Sequence, residues 1–431
     1  NPGFSVDCIE TLDEIGRERY GIAEEKYRRF RYGVQVNSLG LTEPQPENNV
    51  YRILIEALAV TLSKRARCRA LQLPAWNEAL GLPRPWDQQW SLRLQQILAY
   101  ETDLLEYEDL FDGSHVVTGK TEALKDEARA MLAKLDQSGG TIDNIDFMKT
   151  ALVESQRARL KEIEAGRQIV VGVNRYETTE TSPLSGGDGS IMAQDHGAES
   201  RQIAKLKAWR SKRSEDAVAN TLGELRAAAA SGANIMPPSI AAAKAGVTVG
   251  EWGAALREAF GEYRGPTGVA VIIQTDGEED LEKVKGEVER VSKKLGRTLT
   301  YVVGKPGLDG HSNGSEQIAA RARQAGMNVI YEGIRFTPDE IVQQAIDSKA
   351  HVVGLSILSG SHLDLVKDTL GILRAKGLTI PVVVGGIIPE ADALALKQMG
   401  VRRVYTPKDY KITQIMGDVV KVVEETLTAA E

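Results

Sequence analysis

One glycine-rich loop of the sequence carries an imidazole and a carboxylate two residues apart. The loop runs from Gly304 to Gly314 and contains Asp309 and His311. A histidine whose second ring nitrogen is held by a carboxylate is a metal-ligand arrangement, and a single such ligand suits a metal that a macrocycle already holds. A phosphate-binding loop is an alternative, although the Gly-Lys-Ser/Thr run of nucleotide-binding loops and the glycine spacing of the dinucleotide fingerprint are both missing. A plain turn is the third interpretation, and the residue types alone leave all three open.

Small residues follow two later apolar runs, at the positions where the runs end. The run 351–357 is soon followed by a Ser-Gly-Ser triplet, and the run 381–385 ends on the pair Gly385-Gly386. Small side chains there allow a bulky ligand to approach the backbone. For the glycine pair, a tight strand-to-helix turn is the alternative.

The C-terminal part of the sequence alternates strand-like and helix-like segments, which predicts an open, doubly wound α/β domain. Thr337, Pro338 and Glu340 predict a helix start, because they combine a capping box with a proline in the first turn. In such a domain the ligand lies beyond the carboxyl ends of the strands, which is where the loop of Asp309 and His311 is placed. The strand-like runs are 269–273, 299–304, 328–331, 351–357, 381–385 and 402–405.

Residues 1–175 also alternate strand-like and helix-like segments, which favours a parallel sheet or barrel. The predicted strands are far fewer than a closed barrel needs. The strand-like segments are 30–37, 70–73 and 104–111, and the helical ones are 50–62, 87–100, 119–136 and 145–165.

Residues 176–265 have a different pattern. The segment Thr178–Gly197 is rich in Thr, Ser and Gly and is predicted to be a loop, and Ala-rich helices are predicted at 214–231 and 248–262. A basic cluster around Trp209 is either a solvated helix face or a contact for the anionic tail of a ligand. Its members are Lys205, Lys207, Arg210, Lys212 and Arg213.

Composition argues against several classes of protein. The 431 residues are 42% hydrophobic and 26% charged, as in globular proteins, and the formal net charge of -7 disfavours a nucleic-acid-binding face.

Two cysteines, Cys8 and Cys68, indicate a reducing compartment, and we expect a cytoplasmic location. We expect neither a membrane span, which needs about 20 apolar residues, nor a secretory leader. The histidines lack the spacing of a zinc site. Because the chain starts at Asn1 and its first methionine is Met131, we expect a processed or truncated polypeptide.

The three patterns of the C-terminal part form one combined motif. Asp-x-His-x-x-Gly, then Ser-x-Leu, then Gly-Gly resembles the cobalamin-binding domain of base-off/His-on enzymes. The resemblance implies that His311 is the axial ligand of cobalt, that Asp309 orients it, and that Lys305 extends the hydrogen-bond network. Gly310 and Gly314 complete the loop motif. The displaced nucleotide tail of the cofactor would lie in a cleft lined by Ser356, Leu358, Gly385 and Gly386.

The earlier part of the chain narrows the resemblance. The stretches 45–49, 78–83 and 172–176 resemble the acyl-CoA mutases of the methylmalonyl-CoA mutase superfamily, and 30–40 and 70–76 look closest to its ethylmalonyl-CoA mutase branch. The fold implied is α/β throughout. Residues 1–175 would be the C-terminal part of a (β/α)8 TIM barrel, 176–265 a helical linker, and 266–431 a flavodoxin-like, doubly wound cobalamin-binding domain.

This resemblance implies an enzyme that uses adenosylcobalamin for a radical rearrangement of an acyl-CoA carbon skeleton, from ethylmalonyl-CoA to methylsuccinyl-CoA. Arg31, Gln35 and Gln72 would contact the acyl-CoA, and Gln72 stands where methylmalonyl-CoA mutases typically have histidine. Glu101 resembles the glutamate that bonds the adenosyl ribose. The family residues that grip the acyl carboxylate would lie upstream of Asn1, so this chain alone is expected to be inactive if no further barrel is present.

Other functions remain open from the sequence. They are a methylmalonyl-CoA mutase, a methyl-transfer corrinoid carrier, and a non-catalytic cobalamin-binding sensor or partner subunit. The family suggests a homodimer and a G-protein chaperone for cofactor loading, with no nucleic acid or membrane partner.

Overall fold

The computed structural model describes residues 2–180, 182, 184, 191, 192, 195, 197–269 and 279–428. The chain forms two compact units, one made of residues 1–192 together with 266–431 and the other of residues 193–265. The second unit and the linker expected at 176–265 end at the same residue. Most of the strand expected at 269–273 lies outside the described residues.

Within the described residues, the N-terminal part of the first unit has one short parallel sheet of two strands. The strands pair with Gly33 opposite Ala70 and Gln35 opposite Gln72. These four residues share one face of the sheet, which is exposed, whereas Leu71 on the other face packs against the apolar core. The elements are α1 (Pro2–Glu18), α2 (Glu25–Arg28), β1 (Gly33–Gln35), α3 (Asn48–Thr61), β2 (Ala70–Gln72), α4 (Pro85–Tyr100), α5 (His115–Gln137) and α6 (Ile145–Glu164).

A buried carboxylate shapes the segment between β2 and α4. Asp87 is fully buried and accepts hydrogen bonds from Asn77 Nδ2 at 2.9 Å, from Trp76 Nε1 at 3.2 Å and from the backbone N of Arg84 at 2.9 Å. Burial opposes ionisation of Asp87, but these bonds and the Arg84 guanidinium outweigh it and lower the pKa. The turn that carries Glu78 is therefore tied to the start of α4.

The strand expected at 104–111 is wrong. The segment forms successive turns, in which Glu106 N donates to Asp103 O at 2.9 Å and Asp112 N donates to Asp109 O at 3.2 Å. The acidic residues interspersed with the leucines explain the difference, because Asp side chains bond to nearby backbone groups and favour turns over strands. Asp109 does so here, accepting from Phe111 N at 2.8 Å.

The second unit is helical. Its elements are α7 (Ala198–Arg210), α8 (Glu215–Ser231), α9 (Met236–Ala245) and α10 (Val249–Phe260). The expected helices correspond to α8 and α10, and α7 and α9 were missed. Part of the basic cluster is used for internal packing, because Trp209 Nε1 donates to Gly246 O at 2.9 Å and both terminal nitrogens of Arg213 donate to Glu251 at 2.7 Å. The four other members are exposed, namely Lys205, Lys207, Arg210 and Lys212.

The C-terminal part of the first unit is a parallel, doubly wound domain, as expected. The order of the described strands is β4-β3-β5-β6-β7, which is the flavodoxin-like order 2-1-3-4-5. The expected helix start at Thr337 is confirmed, with the capping box formed by Thr337 and Glu340. The elements are α11 (Glu279–Leu295), β3 (Thr300–Gly304), α12 (Asn313–Gln324), β4 (Asn328–Ile330), α13 (Pro338–Asp347), β5 (Val352–Ile357), α14 (His362–Ala375), β6 (Val382–Gly386), α15 (Glu390–Met399), β7 (Arg403–Tyr405) and α16 (Ile412–Thr428).

Both faces of this sheet are covered, which explains why its strands read as continuous apolar runs. One apolar cluster joins the sheet to α11, α12 and α16, and it includes Val153 of α6. The other cluster joins the sheet to α13, α14 and α15. The loops at the carboxyl ends carry the motif residues.

Candidate functional site

The loop between β3 and α12 holds His311 through a buried carboxylate. Asp309 Oδ1 accepts hydrogen bonds from ring Nδ1 of His311 at 2.6 Å and from its backbone N at 3.0 Å. Oδ2 accepts from Lys305 Nζ at 2.7 Å and from Leu358 N at 3.0 Å. Burial raises the pKa of Asp309, but the hydrogen bonds from Lys305, His311 and Leu358 outweigh burial and hold it below its ordinary value. Asp309 is therefore ionised, and Nδ1 of His311 carries the proton.

The second ring nitrogen of His311 is available to a ligand. An imidazole with its proton on Nδ1 presents a lone pair on Nε2. The His311 side chain is 75% exposed although that of Asp309 is only 2% exposed, and no group among the described residues bonds Nε2. The part of the chain that is described contains no group of three or more His, Cys, Asp or Glu side chains that could hold a metal ion. This donor set fits a metal that takes a single axial nitrogen from the protein.

Lys305 connects the loop to the neighbouring strand. It is fully buried at the end of β3, and its Nζ donates to Ser356 O at 3.3 Å as well as to Asp309. Strand β3 pairs with β5, with Gly304 opposite Leu355, so the two strand ends lie side by side. The ammonium group therefore fixes the Asp309 carboxylate against the end of β5.

The carboxyl edge of the sheet places small residues beside a buried hydroxyl. Gly385 pairs with Ser356 of β5 on one side and with Tyr405 of β7 on the other, so the three residues share one face. Tyr405 Oη is buried without a hydrogen-bond partner among the described residues, and burial raises the pKa of Tyr405. Sequence reasoning missed Tyr405. The available signal was its position in the strand next to the glycine pair.

The two glycines of β6 have different reasons to be glycine. A Cβ at Gly385 would lie 3.8 Å from Tyr405 Cβ, an ordinary contact. Gly386 has φ +152, and a Cβ there would overlap the Ile357 carbonyl oxygen and lie 2.7 Å from its carbon. Side chains at Gly386 therefore collide with the sheet itself before they reach any ligand.

Gly310 and Gly314 lie on the exposed side of the loop. A Cβ at Gly310 would lie 3.6 Å from Arg335 Nη2, whereas a Cβ at Gly314 meets nothing within 4 Å. Neither position is crowded by the protein.

A second carboxylate lies near His311. Burial raises the pKa of Glu78, and the His311 ring and a hydrogen bond from Ser38 partly oppose this rise. Glu78 belongs to the turn after β2, so the N-terminal part of the unit faces the exposed side of the loop. The sequence contains Glu78 in a recognisable stretch but does not show that it lies near His311.

The structure brings together only some of the expected substrate contacts. Gln35 and Gln72 are register partners on the exposed face of the small sheet. Arg31 precedes β1 and is exposed, and Glu101 is exposed at the end of α4. The side chains of Arg31 and Glu101 have no hydrogen bond within the described part of the chain, and no bond links them to the Asp309 cluster.

Two sequence models of known protein families match the chain. The sequence model of methylmalonyl-CoA mutase matches residues 12–262, more than half of the chain. The chain belongs to the methylmalonyl-CoA mutase family. In addition, residues 299–411 match the model of the B12 binding domain, which covers β3 to β7 and the loops that follow β3, β5 and β6.

Individual mutases resemble the chain to different degrees. It is 64% identical over 423 residues to the ethylmalonyl-CoA mutase of Cereibacter sphaeroides, covering 98% of this chain and 65% of that protein. It is 60% identical to the ethylmalonyl-CoA mutase of Methylorubrum extorquens, covering 97% of this chain and 61% of that protein. The methylmalonyl-CoA mutase of Escherichia coli is 30% identical, with coverage of 94% and 58%. The chain thus spans about three fifths of the length of these mutases.

None of the described helices is both long and apolar enough to cross a membrane.

Proposed function

We propose that this chain is the C-terminal part of an adenosylcobalamin-dependent mutase that converts ethylmalonyl-CoA to methylsuccinyl-CoA. The observation that carries the proposal is the His311 ring, held by Asp309 and presenting Nε2 at the carboxyl edge of a B12 binding domain. Identity of 64% to an ethylmalonyl-CoA mutase, against 30% to a methylmalonyl-CoA mutase, favours the ethyl-branched substrate.

The residues around the loop have separate tasks in this proposal. When bound, adenosylcobalamin supplies the radical chemistry. His311 Nε2 would hold its cobalt, Asp309 orients the ring, and Lys305 keeps Asp309 ionised in a buried position. The nucleotide tail would lie along the face of Ser356 and Gly385, beside Leu358.

The N-terminal part would hold the acyl-CoA. Gln35 and Gln72 lie on one face of the β1-β2 sheet, which would line the interior of a barrel. Arg31 is proposed to contact the acyl-CoA and Glu101 the adenosyl ribose. Gly33 shares the face of Gln35 and leaves room for the extra methylene of an ethyl branch, although a Cβ there would lie 3.2 Å from Ala70 Cβ.

Electron paramagnetic resonance tests the axial ligand directly. Cob(II)alamin bound to the chain has an unpaired electron that couples to its axial nitrogen. With protein uniformly labelled with ¹⁵N and unlabelled cofactor, the triplet splitting of ¹⁴N should become the doublet of ¹⁵N, and His311→Ala should abolish the doublet. An unchanged triplet would show that the cofactor retains its own benzimidazole and would refute the proposal.

The substrate is tested on a complete protein that includes any barrel segment before Asn1. The kcat/KM for ethylmalonyl-CoA should exceed that for methylmalonyl-CoA, and the reverse order would favour a methylmalonyl-CoA mutase. The fit of one methylene group contributes about 1–3 kcal/mol, so the two kcat/KM values should differ by roughly 10- to 200-fold at most. A complete protein that binds cobalamin but turns over neither substrate would instead favour the sensor or partner-subunit function.

We also propose the division into a barrel part at 1–175, a linker at 176–265 and a cobalamin-binding domain at 266–431. A homodimer, a G-protein chaperone for cofactor loading and a cytoplasmic location complete the proposal. Sedimentation of the complete protein tests the dimer.

A further inference from the structure

A buried histidine joins the two helices that follow β5 and β6. His362, the first residue of α14, is only 3% exposed, and its Nε2 donates to Asp392 Oδ2 at 2.8 Å. Asp392 lies in the first turn of α15, and its side chain is 28% exposed. The Nδ1 atom faces Ser359 O at 3.4 Å. One imidazole therefore contacts both the loop after β5 and the helix after β6.

The loop that contacts His362 also donates a hydrogen bond to Asp309, the carboxylate that holds His311. Leu358 N, directly before Ser359, donates to Asp309 Oδ2 at 3.0 Å. A chain of contacts thus runs from Asp392 through His362 and Ser359-Leu358 to Asp309, and from there to ring Nδ1 of the axial histidine.

The other side of this loop is also confined. A Cβ at Gly360 would lie 2.5 Å from Leu82 Cδ1, in the turn after β2. The loop is therefore packed between Leu82 and His362, and loss of the His362 contact removes its polar contact on the side of α15.

We infer that His362, held by Asp392, is a positioning residue that keeps Leu358 N against Asp309 and so orients the His311 ring. This inference rests on the cobalamin-binding function proposed above. A buried imidazole that stabilises only the helix packing would affect unfolding but not the metal ligand. The two roles therefore differ in their spectroscopic consequence.

The test uses the full chain and cob(II)inamide, which lacks the nucleotide tail and so reports on the axial histidine alone. His362→Leu should weaken cob(II)inamide binding by about 2- to 13-fold, the effect of one net hydrogen bond of about 0.5–1.5 kcal/mol. It should also broaden or reduce the ¹⁵N coupling in labelled protein. His362→Gln, whose amide nitrogen reaches the position of Nε2 but not that of Nδ1, keeps the contact to Asp392 and loses the one to Ser359, so it should restore neither signal.

Two further variants separate positioning from folding. Asp392→Ala alters a partly exposed side chain, and it should reproduce the His362→Leu defect, with the double variant no worse than either single one. His351→Leu is the matched control, because His351 precedes β5 at the opposite edge of the sheet, and it should leave binding and coupling unchanged.

The outcomes are distinct. A folded His362→Leu protein with wild-type affinity and coupling would overturn the inference, as would an Asp392→Ala protein with both properties if His362→Leu fails to fold. Failure of the wild-type chain to bind cobinamide or cobalamin at all would instead overturn the proposed function.

Discussion

Substitution of the two adjacent glycines of β6 should have opposite consequences. Gly386→Ala places a methyl group on the Ile357 carbonyl, at a backbone φ of +152 that other residues rarely adopt. The backbone conformation costs about 1–3 kcal/mol and overpacking adds about 1–3 kcal/mol. The expected loss in the free energy of unfolding is therefore about 2–6 kcal/mol.

Gly385→Ala is the matched control. Its methyl group would meet Tyr405 Cβ at 3.8 Å, so no atom has to move. Restricting the unfolded chain stabilises the native state by about 0.4–1 kcal/mol at compatible positions. Denaturant unfolding followed by circular dichroism measures both variants. Equal stabilities for Gly386→Ala and the wild type would refute the steric reasoning.

A larger side chain at Gly385 tests where the nucleotide tail lies. Gly385→Val retains the sheet but extends a side chain along the face of Ser356 and Tyr405. It should weaken cobalamin binding by roughly 5- to 150-fold, the equivalent of about 1–3 kcal/mol of overpacking, and should leave cobinamide binding unchanged. Equal losses for both ligands would place the tail elsewhere.

Two other predictions concern buried charge. Burial, aided by the charge of Arg297, lowers the pKa of His351 from 6.5 to about 4, and its Nδ1 accepts from Thr300 N at 2.8 Å. Because the folded pKa is the lower one, the stability contribution is complete above pH 6.5 and is lost as the pH falls towards 4. Between pH 7.5 and 5, this group should lower the free energy of unfolding by at most about 1.4 kcal/mol per pH unit. His351→Asn should reduce this dependence on pH. An equal slope in the variant and the wild type would contradict the assignment. Lys305→Met removes the buried cation that pairs with Asp309 and leaves the carboxylate only its hydrogen bonds from His311 and Leu358, so it should destabilise the fold by about 3–5 kcal/mol. The double variant Lys305→Met/Asp309→Asn should recover part of that loss in the same denaturation assay, and no recovery would argue against an ion pair.

Features that depend on neighbouring residues could be read from the sequence. The helix start at Thr337 was predictable because a capping box spans four residues. The contact between Asp309 and His311 was likewise implied by their spacing, since both lie in one loop. The open, doubly wound α/β sheet followed from apolar runs that are continuous because both faces are buried.

The strand predicted for 104–111 was wrong because the prediction used only the pattern of apolar residues. Its leucines suggested a strand, but Asp109 between them offers the backbone a local hydrogen bond that a strand must forgo. The pattern of apolar residues does not measure that competition.

Only the tertiary structure decided which distant residues meet. Leu358 lies 49 positions from Asp309 and completes its hydrogen bonds, and Asp392 lies 30 positions from His362. The requirement for glycine at 386 arises from the Ile357 carbonyl of the neighbouring strand, not from a ligand. Strand order and register create these contacts, and the sequence records register only through the faces that each strand buries. The sequence thus determined the residue that presents a lone pair, and the packing of β3, β5 and β6 determined what holds it in place.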